Sequence, residues 1–342
     1  MIIIILFVHY AQRRIVCTVR MIKNAVNMQT HSATPLTLSH TIEEQSLPQV
    51  RIAYFIMVHQ RPEALKTLLE KIYTRDQFYL IHIDRKACSE TTEAIQDYVI
   101  QYPNVYILES MNIVSGGFSI IQAELNAMEF LLNASKQWDY LINLSGEDIP
   151  LRSKQIIRQF LTVNAGRNYI FYYDQKFYRP DTLQRIQNHF TELTHRISSL
   201  IYKRDFMRDV TPYIGGKWFI FTRDTCSFLT SNEKVMDFED YYLHTLLPAE
   251  SFFQTVLMNT DFNDIIVNDD KRASFSPPLI GKDNYYSKFL KFLAESNSLF
   301  INKVGDLTDE RIIECVASSY DLPLPEVNEI ERELKRDQPG SN

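Results

Sequence analysis

Glu250 stands two residues after Pro248 in residues 246–259 (LLPAESFFQTVLMN), where apolar side chains recur at helical spacing. A carboxylate there has two readings. It is either a group favoured by the positive end of a helix dipole, worth about 0.3–1 kcal/mol, or a general base near a substrate, its basicity set by Phe252 and Phe253. Asp84 closes the apolar run QFYLIHID at 77–84. It can accept hydrogen bonds from a ribose or a uracil N–H, cap a helix, or pair with Arg85 or Lys86. Glu147 and Asp148, ahead of Ile149 and Pro150, are either ligand-facing carboxylates or ordinary turn residues. Lys271 and Arg272 read most simply as a solvated pair, and Lys303 as surface charge. Trp218 in KWFIF (217–221) reads most simply as core, with a sugar-stacking platform as the other reading.

These residues need elements to position them. Residues 51–59 (RIAYFIMVH) form a continuous apolar run, the mark of a strand buried on both faces. Pro62 then opens a helix with Leu65, Leu68, Leu69 and Ile72 on one face. Further strands are predicted at 77–84, 105–108, 140–144 and 169–173, with helices at 90–101, 119–133 and 153–163 between them. This alternation predicts a mainly parallel sheet with helices on both faces. Ligands of such sheets bind beyond the carboxyl ends of the strands. His59, Asp84, the turn at 115–117 and the segment 145–148 all fall at such ends.

Composition narrows the chemistry. The 342 residues fit two domains, or one large α/β domain. Only 9 are glycine, and neither a G-x-G-x-x-G nor a complete G-x-x-x-x-G-K-[ST] occurs. A bound nucleotide therefore needs its phosphates held by side chains rather than by a glycine nest. The balance of 36 basic against 42 acidic residues argues against a dedicated nucleic-acid binder. Four scattered cysteines show no metal-ligand spacing and point to reduced thiols. No H-E-x-x-H pair and no Asp-x-Asp is present, so no metal site is expected.

At the N-terminus, residues 2–8 are apolar but far short of the roughly 20 needed to span a bilayer. They read as a loosely packed extension, with a weak membrane-surface anchor as the alternative. Residues 27–49 read as a linker. The expected organisation is an extension and linker over 1–49, a folded domain over 50–320 and a polar tail over 321–342.

Seven segments in register resemble the core-2/I-branching β-1,6-N-acetylglucosaminyltransferase and peptide O-xylosyltransferase family. They are RIAYFIMVH (51–59), FYLIHIDRK (78–86), INLSGEDIPL (142–151), KWFIFTR (217–223), TLLPAESFFQTVLMN (245–259), VNDDKRASF (267–275) and LFINKV (299–304). The segment around Glu250 resembles the xylosyltransferase branch. The resemblance implies a GT-A-like fold and an inverting, metal-independent transferase that uses a UDP-sugar. By motif position it implies Glu250 as catalytic base and Arg272 and Lys303 as the groups that neutralise the diphosphate. It also implies Asp84 near the nucleoside, Asp148 at the donor site and Trp218 lining the sugar pocket.

UDP-xylose is the favoured donor over UDP-N-acetylglucosamine, and the acceptor is a glycan or protein hydroxyl. No motif marks the acceptor loops, placed at 174–215. Eukaryotic members are Golgi type II membrane proteins rich in disulfides. The sequence reads instead as a soluble or microbial relative, cytoplasmic or in peripheral contact with a membrane. The alternatives are a catalytically inactive UDP-sugar or glycan-binding protein and, lacking the glycine fingerprint, a Rossmann oxidoreductase.

Overall fold

Strand β1 (Ile52–Val58) is buried along almost all of its length. Ile52, Tyr54, Ile56 and Val58 enter one hydrophobic core, and Ala53 and Phe55 enter a second on the opposite face. Such a strand needs cover on both sides. Helix α1 (Pro62–Ile72) covers the first face with Leu65, Leu68, Leu69 and Ile72. After β2 (Phe78–Ile83), helix α2 (Ser89–Val99) adds Ile95 and Val99 to the same side. Strand β3 (Val105–Leu108) leads to α3 (Ser119–Ala134), which crosses to the second face and buries Ile121, Leu125, Met128 and Leu131 there. Strands β4 (Tyr140–Ser145) and β5 (Asp148–Pro150) precede α4 (Lys154–Val163), which returns to the first face.

The second half adds β6 (Asn168–Asp174), a hairpin of β7 (Asn188–Glu192) and β8 (Ile197–Lys203), and the long β9 (Tyr213–Thr222). Helices α5 (Arg223–Ser231), α6 (Glu233–Tyr242) and α7 (Phe252–Met258) extend the second core. The short strands β10 (Ile266–Val267) and β11 (Arg272–Ala273), helix α8 (Asp283–Glu295) and strand β12 (Phe300–Asn302) follow. This computed structural model describes residues 49–273, 283–302, 316, 320–322 and 324–325, without the side chains of residues 200, 201 and 283–286. Lys303 and the N-terminal extension lie outside the described residues, as does most of the tail.

The main sheet runs β10-β6-β9-β4-β1-β2-β3. Strand β1 is parallel to β2 and β4, β2 to β3, and β6 to β10. Only β9 runs the other way, antiparallel to both β4 and β6. The architecture is the expected α/β one: a mainly parallel sheet with helices on both faces. Because β9 is reversed, its first residues lie at the rim where β1, β2, β4 and β6 end. A second sheet of β11-β12-β5 stands beside that rim. Among the described residues no helix is long and apolar enough to cross a membrane.

Candidate active site

Strands β4 and β9 pair from Tyr140 opposite Thr222 to Ile142 opposite Ile220, where their register ends. The next residue, Asn143, is a buried amide among the apolar residues of YLINLS, before Ser145. Its side chain takes over from the ladder. Oδ1 accepts the Phe219 N–H at 2.8 Å, and Nδ2 donates to the Lys217 carbonyl at 2.9 Å. The Asn143 carbonyl in turn accepts Arg272 Nη2 at 2.7 Å. One residue thus fixes the rim end of β9 and a guanidinium from the second sheet. Sequence reasoning missed Asn143; a lone amide inside a buried strand is the signal that could have found it.

Arg272 opens β11, its N–H donating to Asp270 Oδ1 at 3.0 Å. The guanidinium carbon lies 4.6 Å from the Phe300 ring centre and 5.2 Å from that of Trp218. Burial pushes its pKa down, while Asp148 and Asp270 act in the opposite direction. Nε and Nη1 are buried and have no hydrogen-bond partner among the described residues. Unused donors on a buried cation are costly. They suit the separate oxygens of an anion, which would supply charge-assisted acceptors.

The expectation of a solvated Lys271–Arg272 pair is therefore overturned. Lys271 adopts a φ of 55°, with its N–H on Asp269 Oδ1 at 2.7 Å. That turn drives its side chain inward, to 3.0 Å from Asp269 Oδ2 and over the rings of Phe160 and Tyr169. Trp218 is also corrected. It is half-buried and belongs to neither core: it lies past the last β9 residue paired with β4 and in the irregular stretch of the pairing with β6, between Gly215 and Phe219. Lys217 Nζ stands 4.6 Å from its ring centre. The side chain borders the rim, beside Arg272.

Asp148 is buried, and burial raises its pKa against the pull of Arg272. Its Oδ2 accepts the Ser145 N–H and its Oδ1 accepts Asn302 Nδ2, both at 2.7 Å. It ties the turn after β4 to β12, so the turn reading is realised beside its proximity to Arg272. Lys303 follows Asn302 in sequence and lies outside the described residues. Asp84, at the end of β2, accepts the Lys86 N–H at 2.9 Å and pairs with Lys86 Nζ at 3.5 Å. The lysine-partner reading is realised.

Glu250 ends a 3-10 turn, Pro248–Glu250, rather than lying in the first turn of an α-helix. Ser251 (φ −146°, ψ −20°) breaks the chain between this turn and α7. Phe252 and Phe253 do not screen its carboxylate; they are buried in the second core against Phe118, Phe219 and Phe221. The Glu250 side chain is 39% exposed, and Oε2 accepts Arg185 Nη1 at 2.6 Å. The turn is seated on the rim by two backbone bonds. Leu247 N–H donates to Gly116 O at 2.8 Å, and Leu246 N–H donates to Arg185 O at 2.9 Å. Gly116 has a φ of 79°, a conformation open to glycine. Arg185 was not singled out in the sequence, since nothing but its charge marks it there.

The structure therefore brings Asp148, Trp218 and Arg272 into one cluster and gives Glu250 a second, with Arg185, on the same rim. Asp84 stands at the neighbouring strand end. Among the described residues no group of three or more His, Cys, Asp and Glu side chains is placed to hold a metal ion.

Comparison with known proteins bears on this geometry. "Xylosyltransferase" of Ciona intestinalis is 32% identical over 232 residues, covering 66% of this chain and 27% of its own length. "Xylosyltransferase 2" of Homo sapiens is 31% identical over 238 residues, with the same two coverages of 66% and 27%. The chain thus spans about a quarter of the length of these curated relatives, at 27%. Among solved structures, S. aureus TarS 1-349 aligns with 82% of this chain and 69% of its own, at a TM-score of 0.35 and 12% identity. The profile described as "Core-2/I-Branching enzyme" matches residues 52–278. That span includes Asp84, Asp148, Trp218, Glu250 and Arg272, and the chain belongs to the core-2/I-branching enzyme family.

Proposed function

We propose that the chain is a glycosyltransferase that moves a sugar from a uridine diphosphate donor to an acceptor hydroxyl, with inversion and without a divalent metal. The observation that carries this reading is the buried Arg272 guanidinium, with Nε and Nη1 unpartnered among the described residues and Trp218 beside it. Diphosphate oxygens supply the acceptors those N–H groups lack. Lys303, next to β12 in sequence, adds a second cation in this reading.

The step is a single displacement. The acceptor oxygen attacks the anomeric carbon from the face opposite the diphosphate and loses its proton to Glu250. The bond from that carbon to the diphosphate oxygen breaks, and its electron pair leaves with UDP. Arg272 meets the negative charge where it develops, which is where a cation accelerates a reaction. Arg185 holds Oε2 of Glu250 at 2.6 Å. The other carboxylate oxygen is then the one that takes the acceptor proton. Asp84 serves the nucleoside, Asp148 braces the donor site through Asn302, and Trp218 lines the sugar.

UDP-xylose is favoured as the donor over UDP-N-acetylglucosamine, from the likeness of residues 245–259 to the xylosyltransferase branch. Xylose lacks both the C6 hydroxymethyl and the N-acetyl group, so its site is narrower. The acceptor is a hydroxyl of a glycan or protein. Measuring UDP release from the two donors, with and without EDTA, tests the proposal. The expected result is release that persists in EDTA and is faster from UDP-xylose. Faster release from UDP-N-acetylglucosamine would overturn the donor assignment alone. Activity that vanishes on chelation and returns with manganese would overturn metal independence.

A further inference from the structure

Helix α3 carries a carboxylate that the mechanism above does not use. Glu124 is 3% exposed, and its Oε1 accepts Asn143 Nδ2 at 3.0 Å. The same Nδ2 donates to the Lys217 carbonyl, and Asn143 Oδ1 accepts the Phe219 N–H. With both amide protons engaged and the oxygen occupied, the Asn143 side chain has one orientation that satisfies it. Asn143 is also the residue whose carbonyl receives Arg272 Nη2.

We propose that Glu124 is a positioning residue for the donor pocket, acting through the Asn143 amide on Arg272 and on the Lys217–Phe219 segment that carries Trp218. The inference rests on the reading of Arg272 as the diphosphate ligand. It adds a residue from helix α3, which packs in the second core, whereas Arg272's strand belongs to the second sheet.

The charge state of Glu124 gives the role a signature. Burial lifts its pKa to about 8, against the hydrogen bond from Asn143 and the positive charge of Lys217. Lys217 on β9 is the charged group acting on it; Asn143, facing it from β4, is neutral. Below pH 8 Glu124 is an uncharged acid that holds Asn143 without placing a negative charge behind the pocket. Above that pH it becomes a buried anion, and anions there oppose a diphosphate. The other carboxyls of the pocket, Asp148 and Asp270, are raised by burial as well and remain in Glu124→Gln.

The test titrates UDP into wild type, Glu124→Gln and Glu124→Leu, about one unit below and about one unit above pH 8. Wild type should lose at least about threefold in UDP affinity across that interval. Glu124→Gln, which keeps the oxygen that accepts from Asn143 but cannot ionise, should lose less than half as much. Glu124→Leu, lacking the acceptor, should bind UDP several-fold more weakly than Gln at both pH values. If wild type and Gln follow the same pH curve, or if Leu binds as Gln does, the positioning role is overturned while the donor reading stands. If none of the three binds UDP, the donor reading fails and this inference falls with it. Should the Leu variant not fold, the wild type and Gln comparison decides alone.

Discussion

At the scale of single residues, the proposed chemistry divides between Glu250 and Arg272, and the two make different predictions. Glu250→Gln keeps shape and can still meet Arg185 but cannot take a proton. General base catalysis is typically worth about 10²–10⁴ in rate. Turnover should fall by that factor, with UDP affinity and melting temperature nearly unchanged. A Gln variant retaining more than about a tenth of wild-type turnover would place the base elsewhere. For Arg272, alanine should weaken UDP binding by at least about tenfold. Lysine should recover only part of that loss, because it offers a point charge in place of a planar fork. Asn143→Ala leaves the Phe219 N–H and the Lys217 carbonyl without their partner. At about 1–3 kcal/mol for a buried unsatisfied group, it should lower the melting temperature and weaken UDP together. Equal stability with normal UDP binding would contradict the role given to that amide.

At the scale of elements, much of the sheet was legible because its strands are continuous apolar runs separated by amphipathic helices. Residues 51–59 became β1 and residues 62–72 became α1 for that reason. The reversal of β9, the hairpin of β7 and β8, and strands β11 and β12 were not legible. Two- and three-residue strands carry no period, and strand direction is set by tertiary pairing. The carboxylate turn was misread for a related cause. Pro248 signals a helix start, yet Leu247 enters with a φ of 53° and Ser251 interrupts the chain before α7. What seats this turn is a contact remote in sequence, Leu247 N–H to Gly116 O. Gly116→Ala would force an L side chain into a positive φ, at roughly 1–2 kcal/mol. It should lower turnover and melting temperature while leaving UDP affinity within about twofold, since Arg272 hangs from different elements. A loss of UDP affinity matching the loss of turnover would show that the two clusters are not separable.

At the scale of the whole molecule, the buried carboxyls set how stability responds to pH. Glu124 holds its proton up to about pH 8 when folded, but titrates near 4.3 when unfolded. The folded chain therefore binds the extra proton between those values. The stability this gives is fully present below the unfolded pKa and is lost as pH rises to about 8. The slope for one proton is about 1.4 kcal/mol per pH unit. Unfolding in urea at several pH values should show wild type losing stability relative to Glu124→Gln over that window, and running parallel to it above. Parallel curves throughout would mean that Glu124 is ionised in the fold.

The central claim is that an arginine, rather than a metal ion, holds the donor diphosphate. The most direct measurement is calorimetric titration of UDP into wild type and Arg272→Ala, each in EDTA. Wild type should bind saturably under chelation, and the alanine variant should lose at least about tenfold in affinity. Binding that appears only when manganese is added, or that is indifferent to Arg272, would contradict that claim.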